Sequence, residues 1–482
     1  MSNKLPDSPS EPENYSIDEM MDRLKSSSSD LDEKGELVTR SDGSKAMKVR
    51  KRRRRSDQQV KKEAKKSLRM KIAQVSGVLI ILLLTALAAG IAIIHANSGS
   101  YLDKLTQSIK HSSGANVEIN QFRVNPKTAN ANQLVLNWPE GNFLHQAVLN
   151  QISAEIHPST FLGREMSGEE VSIEQVNLAM LIPKQGRATQ NNTSSVKLPS
   201  IQFDHYRTPN LNLVVGPVAE PILSIKKSQS SISYLHSGSR TQISLFQGNI
   251  SMVGWPKLRL DRCLIVLRDD EADIVSMRIL HESDNRGALT LSGKMSPYMP
   301  DRMNALAVQL EAFQLSGVVG PAMGGLLSGK IDTPTDSKSG QLTFFPIENP
   351  LPKFEAPFQG NPSSPIELRG FPFLFALYQA LDDPWFERPI FSDASGIIYR
   401  EADMVSFRDL NLKSSGRITI KGSLTMAADQ SLTGNLQIGV AETLLAASKN
   451  RRFHAIFSQP QKGLQWLNLK IGGSASAPTD DL

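Results

Sequence analysis

The sequence predicts a mainly β protein with inserted helices, in which one N-terminal transmembrane helix precedes a curved antiparallel β-sheet or groove. Residues 72–94 form an apolar stretch without a single charge. After residue 113, apolar side chains recur at every second position, which is typical of half-buried strands. Few segments beyond the apolar stretch have helical periodicity. Strands are therefore expected to dominate the rest of the chain.

The apolar stretch is long enough to cross a membrane. Its 23 residues would form a helix of about 34 Å, against a hydrocarbon core of about 30 Å. A buried core helix and a cleaved signal peptide are the alternatives, but a signal peptide has a shorter apolar region close to the N-terminus. Since 71 residues precede the stretch, we predict an uncleaved transmembrane helix that runs from Ile72 through Leu82 to Ile94.

Charge predicts the orientation of this helix. Residues 45–71 contain 14 Lys and Arg but only two acidic residues. The positive-inside rule places such a segment in the cytoplasm and the C-terminal region on the other side. The same cations would contact anionic lipids, although in a soluble protein they would suggest a nucleic-acid-binding patch. The topogenic and lipid-contacting residues are predicted to be Lys51, Arg52, Arg53, Arg54, Arg55, Lys61, Lys62, Lys65, Lys66, Arg69 and Lys71.

Composition divides the chain into four parts. Residues 1–44, with 11 acidic and 5 basic residues, are predicted to be a disordered cytoplasmic tail because they have too few apolar residues to form a core. Residues 45–71 form the basic juxtamembrane segment, and 72–94 the span. The tail carries −6 and the basic segment +12, so with +6 overall the β-rich domain at 97–482 is neutral. This balance gives no indication of nucleic-acid binding.

The first elements after the span are a helix and several short strands. Leu102, Leu105 and Ile109 lie on one helical face, and Gly114 is expected to end that helix. Strands with alternating apolar residues follow. A change of phase between Ile119 and Phe122 suggests a β-bulge.

Later strands have the same period of two. Residues 241–253 are predicted to place Phe246, Gly248, Ile250 and Met252 on one face. Residues 258–267 do the same with Leu258, Leu260, Leu264 and Val266. The clearest pattern is a β-hairpin across 417–440, with a turn at 429–431. Helices are predicted around 301–315, 371–381 and 442–449, and long loops at 184–200 and 332–365.

The sequence contains no recognisable catalytic or metal-binding motif. Phosphate-binding, zinc-protease and serine-hydrolase patterns are absent from it. Its eight histidines are scattered, and Cys263 is its single cysteine. We therefore predict neither an enzyme nor a cofactor or metal site.

A long sheet with one apolar face must cover that face. It can fold on itself as a sandwich or curve into a groove that holds acyl chains, and periodicity does not distinguish the two. Under the groove hypothesis the lining residues are Leu134, Leu136, Ile250, Leu258, Leu260, Ile418, Ile420, Leu424, Leu436 and Ile438.

Several segments resemble the AsmA-like superfamily of envelope proteins. The N-terminal similarity comprises the span, the helix that ends at Ser113-Gly114, and the strands that contain Val117-Glu-Ile119 and Leu134-Val-Leu136-Asn-Trp138-Pro139. The C-terminal similarity comprises Phe407-Arg-Asp-Leu410-Asn-Leu412, Gly416-Arg-Ile418-Thr-Ile420-Lys-Gly422 and Leu467-Asn-Leu469-Lys-Ile471-Gly-Gly473.

This resemblance implies a single-pass protein of the bacterial inner membrane with its C-terminal domain in the periplasm. That domain would bind or transfer phospholipid or another acyl lipid, in outer-membrane biogenesis or homeostasis. Envelope proteins would be its further partners. The alternative is a bitopic scaffold of an envelope secretion or division machine, which would recruit a cytoplasmic partner through residues 1–71.

Overall fold

The structure, a computed structural model, is dominated by β-strands. It describes residues 36–48, 83–157, 165–181, 200–217, 219–235, 240–268, 271–296, 303–336, 339–345, 349–448, 451–457 and 459–482. Strands account for about 60% of these residues, most of them in one large curved sheet. The prediction of a mainly β fold is therefore confirmed.

Contacts divide the chain into two compact units, residues 1–85 and 86–482. The described part of the first unit contains a small hairpin of β1 (Glu36–Thr39) and β2 (Lys45–Lys48). The sequence analysis assigned the first of these strands to a disordered tail. A hairpin forms here because Asp42 stabilises the turn. Its carboxylate accepts hydrogen bonds from the backbone amide and the hydroxyl of Ser44.

Helices are few in the second unit and lie between groups of strands. A short 3-10 helix occupies Pro384–Glu387. The α-helices are α1 (Leu83–Ala96, which begins in the first unit), α2 (Gly99–Ser113), α3 (Ser316–Leu326), α4 (Pro372–Leu381), α5 (Glu442–Ala447) and α6 (Arg451–Ile456).

The first strands of the large sheet follow α2. They are longest near the middle of this group, where two strands have 16 residues each. They are β3 (Asn116–Asn120), β4 (Arg123–Val124), β5 (Thr128–Asn137), β6 (Leu144–Ile156), β7 (Glu165–Met180), β8 (Ser200–Val215), β9 (Leu223–Leu235), β10 (Arg240–Phe246), β11 (Asn249–Met252), β12 (Leu258–Arg268), β13 (Glu271–His281), β14 (Asp284–Met295) and β15 (Asn304–Glu311).

The remaining strands surround helices α3 to α6. They are β16 (Phe313–Gln314), β17 (Leu327–Ser328), β18 (Lys330–Asp332), β19 (Gly340–Phe345), β20 (Asn349–Gly360), β21 (Ile366–Leu368), β22 (Ile390–Phe391), β23 (Asp393–Glu401), β24 (Met404–Ser414), β25 (Ile418–Met426), β26 (Leu432–Ala441), β27 (Gln459–Gln461), β28 (Leu464–Ser474) and β29 (Ala477–Asp480).

Strand pairing follows chain order almost throughout. At one end of the series β3 and β4 both pair with β5, and at the other end β27 and β29 both pair with β28. Strands β17, β21 and β22 form a separate three-stranded sheet. The large sheet is mixed, because β7 and β8 run parallel from Glu165↔Ser200 to Met180↔Val215. The expectation of a purely antiparallel sheet was wrong at this pair.

The residues next to its two ends explain where α2 begins and ends. Ser98 caps its N-terminus by accepting a hydrogen bond from the Tyr101 amide. At its C-terminus Gly114 adopts a left-handed conformation (φ 70°) and its amide bonds to the Lys110 carbonyl. This φ favours glycine, and the predicted helix end is confirmed.

The other predicted elements are confirmed in part. The hairpin of β25 and β26 is confirmed, as are the helices near 371–381 and 442–449. The predicted helix at 301–315 is wrong, since Asn304–Glu311 is a strand paired with β14 and β19. The predicted loop at 332–365 contains β19 and β20. In β20, Phe354, Ala356 and Phe358 are buried at every second position, although Pro357 lies between the last two. Of the other loop only Ser200, the first residue of β8, lies within the described residues.

The predicted membrane span is only partly described. Residues 72–82 and all predicted topogenic residues lie outside the described part of the chain. Within that part, no single helix is both long enough and apolar enough to cross a membrane. Helices α1 and α2, bent by 62°, pass that test only as a pair, on length and composition.

Candidate functional site

One face of the large sheet is apolar, and strand register shows how far it extends. Leu134, Leu149, Val176 and Leu211 are paired across β5 to β8. We call the side that these residues share the apolar face. A second row on this face runs through Leu136, Ala147, Leu178, Leu213, Ile225, Ile250 and Leu258.

A line of irregular residues crosses these strands and keeps the face apolar along their whole length. In β6, Leu149 and Ile152 are separated by Asn150 and Gln151, and Gln151 has φ 52°. A strict alternation would turn one half of the strand to the wrong side, and a bulge corrects this. Two adjacent polar residues interrupt the pattern in the same way in β5 (132–133), β7 (174–175) and β12 (261–262).

This bulge line explains two errors of the sequence analysis. Phe246 was predicted to share a face with Ile250, but it is 45% exposed while Ile250 is buried. The left-handed Gln247 between them (φ 57°) shifts the phase. In β12 the register slips after Leu260, so Cys263 faces Met277 on the apolar face. Leu264 and Val266 then take the opposite face.

The opposite face of the N-terminal strands is mainly polar, with Val135 and Val148 paired on it. Side-chain amides bond across neighbouring strands: Asn120 to Gln133 at 3.2 Å, and Gln133 to Asn150 at 3.1 Å. Farther along, Asn212 bonds to Asn177 at 2.9 Å. Because this face suits water, the two faces of the sheet have opposite solvent preferences.

Helix α2 covers one part of the apolar face. Leu105 and Ala96 pack with Val171, Ile173 and Phe203 in a small core, on one side of the bulge line. Across that line Ala147 and Leu211 are buried, whereas six other aliphatic side chains are only half-buried. We call this part the open section, defined by Leu134, Leu136, Leu149, Val176, Leu178 and Leu213.

The C-terminal strands bury the same face completely. Ile398, Val405, Phe407, Leu412 and Ile418 have no exposed surface. They belong to the main core, which includes residues of α3 and α4. The apolar face is therefore open in the N-terminal part of the sheet and covered in the C-terminal part.

The ten predicted groove-lining residues divide between these two parts. Leu134 and Leu136 lie in the open section, whereas the other eight are buried, with at most 2% exposure. Sequence analysis did not select Leu149, Val176 or Leu213. The pairs of polar residues that interrupt the alternation would have identified them. The buried residues are Ile250, Leu258, Leu260, Ile418, Ile420, Leu424, Leu436 and Ile438.

Burial suppresses ionisation of the few titratable groups on the apolar face. Desolvation raises the pKa of the Cys263 thiol to about 12 and also raises the pKa of Tyr206, which lies edge-on to Tyr234. Both groups are therefore neutral at pH 7. In the described part of the chain, no group of His, Cys, Asp or Glu could hold a metal ion.

Arg400 is a charged residue on this mainly apolar face. It lies in a row with Leu342, Phe354 and Val405 and is 3% exposed. Its guanidinium donates to the carbonyls of Ala402, Val318 and Gly254 and stacks on the Trp255 ring, 5.1 Å from the centroid. Burial lowers its pKa to about 10, which leaves it charged at pH 7.

The end of α1 is fixed to the first edge of the sheet. The Asn97 side chain accepts a hydrogen bond from the Val124 amide and donates one to the Val124 carbonyl, both at 2.8 Å. Ala96 is buried in the small core beside it. By contrast, Leu87, Ile91 and Ile94 on the same helix are 57%, 59% and 74% exposed.

No family model, no curated protein and no solved structure matches this chain. The resemblance to AsmA-like proteins thus stays a prediction.

Proposed function

We propose that this protein is an AsmA-like, membrane-anchored lipid-binding or lipid-transfer protein that acts in the biogenesis or homeostasis of the bacterial outer membrane. The single observation that carries the proposal is the open section, a contiguous half-buried apolar surface opposite a polar one. Soluble proteins rarely leave such a surface to water unless it binds something.

Acyl chains fit the chemistry of the open section. Its six defining side chains are aliphatic and carry no hydrogen-bonding group. Covering apolar surface is worth about 25 cal/mol per Å², and the gain is largely independent of orientation. Such a surface can hold a chain without fixing its position, and this property suits transfer along the strand series. The proposed action needs no covalent step and no catalytic residue.

The properties of α1 support the membrane anchor. Exposed Leu87, Ile91 and Ile94 are unfavourable in water but favourable in lipid. The bonds between Asn97 and Val124 connect that helix to the edge of the sheet. If residues 72–94 span the inner membrane with the basic segment in the cytoplasm, the periplasmic sheet begins at the membrane surface. Lipid then has a short path to the open section.

The test is to extract the full-length chain in polymer nanodiscs, supply a phospholipid that carries a diazirine in one acyl chain, and map the crosslinked peptides by mass spectrometry. Leu149→Glu places a charge on the open section, whereas Val148→Glu places the same charge on the opposite face of the same strand. We expect a fivefold or greater loss of photo-crosslinking between acyl chains and β5–β8 in the first variant, since a buried charge is strongly unfavourable, and little loss in the second. Equal labelling in both variants and the wild type contradicts lipid binding at this face.

A scaffold is the second candidate. The hairpin of β1 and β2 favours it, because an ordered element within the N-terminal region offers a defined surface to a cytoplasmic partner. Its backbone register pairs Glu36 with Lys48 and Thr39 with Lys45. Deleting the N-terminal tail separates the two candidates, as argued in the Discussion.

A further inference from the structure

We propose that residues 315–329 form a flap that covers the apolar face of the C-terminal strands and must open before acyl chains can reach them. This inference rests on the proposed lipid-binding function. By opening or closing, this one segment would determine how far along the sheet a lipid can move.

The topology of the flap is that of a hinged insertion. Strands β16 and β18, which flank it, pair with each other through Phe313↔Ile331 and Gln314↔Lys330. Its two ends therefore lie side by side. Backbone with positive φ occurs on both sides, at Ala312 (φ 43°) and Gly329 (φ 139°). Two adjacent ends allow a segment to swing without disturbing the strands that carry it.

The body of the flap is apolar and poorly suited to be a rigid helix. Val318, Val319 and Met323 have no exposed surface and belong to the main core. The helix is broken at Gly320 (φ 83°, ψ 168°), immediately before Pro321. This conformation is essentially restricted to glycine. The flap thus covers apolar side chains with apolar side chains, and its opening must also separate the Val318 carbonyl from Arg400 and the Gly325 carbonyl from Arg369.

The C-terminal end of the flap, β17, is held by its pairing with β21 through Leu327↔Leu368 and Ser328↔Glu367. Side chains hold the flap closed at four further places. Arg400 binds the Val318 carbonyl, and Arg369 donates to the Gly325 carbonyl at 2.6 Å. At the entry, the Ser316 hydroxyl lies 3.4 Å from His281 Nε2. At the exit, the Lys330 ammonium lies 2.6 Å from the Asp284 carboxylate.

The exit contact is the most suitable one to test. Both side chains are about one-fifth exposed, so the pair can be broken without opening a cavity. Its hydrogen bond with Lys330 lowers the pKa of Asp284, which therefore stays ionised at neutral pH. His281 and Asp284 belong to the same β13–β14 turn, so this one turn contacts both ends of the flap.

Register shows what the flap separates. Pairs Cys263↔Met277, Met277↔Leu291 and Leu291↔Val308 continue the apolar face from β12 to β15. The main core already covers the face from Ile225 and Ile250 onward, and the covered face continues beyond β15 through Leu342 and Phe354. The apolar pattern thus continues across all these strands, but beyond the open section most of its side chains are buried.

The experiment uses the full-length chain in nanodiscs with a phospholipid that carries a diazirine in one acyl chain. We compare the wild type with Lys330→Met, and with Asp284→Asn as a second way to break the contact. Lys294→Met serves as the matched control, since it breaks an exposed ion pair with Glu271 (3.5 Å) away from the flap. Amide hydrogen exchange of 316–326 and crosslinked peptides are measured together.

We expect amides of the flap to exchange about fivefold to tenfold faster in both test variants. Crosslinks should extend from β5–β8 into β20 and β23, while Lys294→Met behaves like the wild type. Faster exchange without new crosslinks overturns the flap as a gate, as do wild-type crosslinks that already reach β23. Absence of crosslinks from the open section as well overturns the proposed function itself.

Discussion

At the scale of single residues, Arg400 shows how a buried charge organises the fold. Its guanidinium meets carbonyls from three segments, and Gly254 lies 146 positions away in the chain. A buried ion that loses its partners costs more than it contributes when paired. Here the partners are main-chain carbonyls and the Trp255 ring, which packs edge-on against Phe354 at 5.4 Å. Arg400 therefore joins the turn between β11 and β12, the flap and the C-terminal core.

Replacing Arg400 should destabilise the protein more than its charge alone suggests. In Arg400→Met the three carbonyls lose their donor, and each unsatisfied buried group costs about 1–3 kcal/mol. Part of this is offset because the charge no longer needs to be desolvated. We expect a net loss of about 1–3 kcal/mol in the free energy of unfolding, measured by urea titration of tryptophan fluorescence.

Arg408→Met is the control for that measurement. Arg408 stacks on the Tyr399 ring at 4.3 Å and lies 3.9 Å from Glu355. Both side chains of that ion pair are about half exposed, so we expect a change within about 0.5 kcal/mol. If the two variants lose equal stability, Arg400 does not join the three segments as described.

At the scale of elements, the bulge line determines which side chains reach the apolar face. The sequence correctly predicts several strands, such as β12, β25 and β26, because alternation over five or more residues is a strong local pattern. Alternation does not predict which face the side chains take on the far side of a β-bulge. That face depends on whether one residue accepts a left-handed backbone, as Gln151 and Gln247 do. For this reason Phe246 was assigned to the wrong face, and Leu149 and Val176 were overlooked.

The left-handed conformation of Gln151 leads to a direct prediction. Non-glycine residues pay a conformational cost there, and glycine does not. Since the Gln151 side chain is exposed, Gln151→Gly should raise the free energy of unfolding by about 0.5–1 kcal/mol. Ser153→Gly, at an exposed position of the same strand that pairs regularly with Asn130 and Ser172, should lower it by about 0.5–1 kcal/mol. Denaturant titration checks both, and a stability loss in Gln151→Gly would show that the bulge is unstrained.

At the scale of the whole molecule, the long apolar face is covered in one part of the sheet and partly open in the other. The C-terminal strands cover it with α3, α4 and their flanking loops, whereas the N-terminal strands cover only the part next to α2. The sequence contains the face but not this division, because alternation is the same in β5 and in β25. The covering segments are short, interrupted by Gly and Pro, and distant in the chain. Eight of the ten predicted lining residues therefore lie in the core.

The N-terminal region provides the whole-molecule test of function. A lipid carrier depends on the sheet and the anchor, so deleting residues 1–44 should change its co-purified phospholipid less than twofold. A scaffold that recruits a partner through this region should lose function in cells. Deleting 1–35 is the matched control, because it keeps both strands of the hairpin, Glu36–Thr39 and Lys45–Lys48. Growth under envelope stress and lipid content are scored together. If lipid content stays constant but growth fails only in the longer deletion, the hairpin binds the partner and the scaffold hypothesis is the correct one.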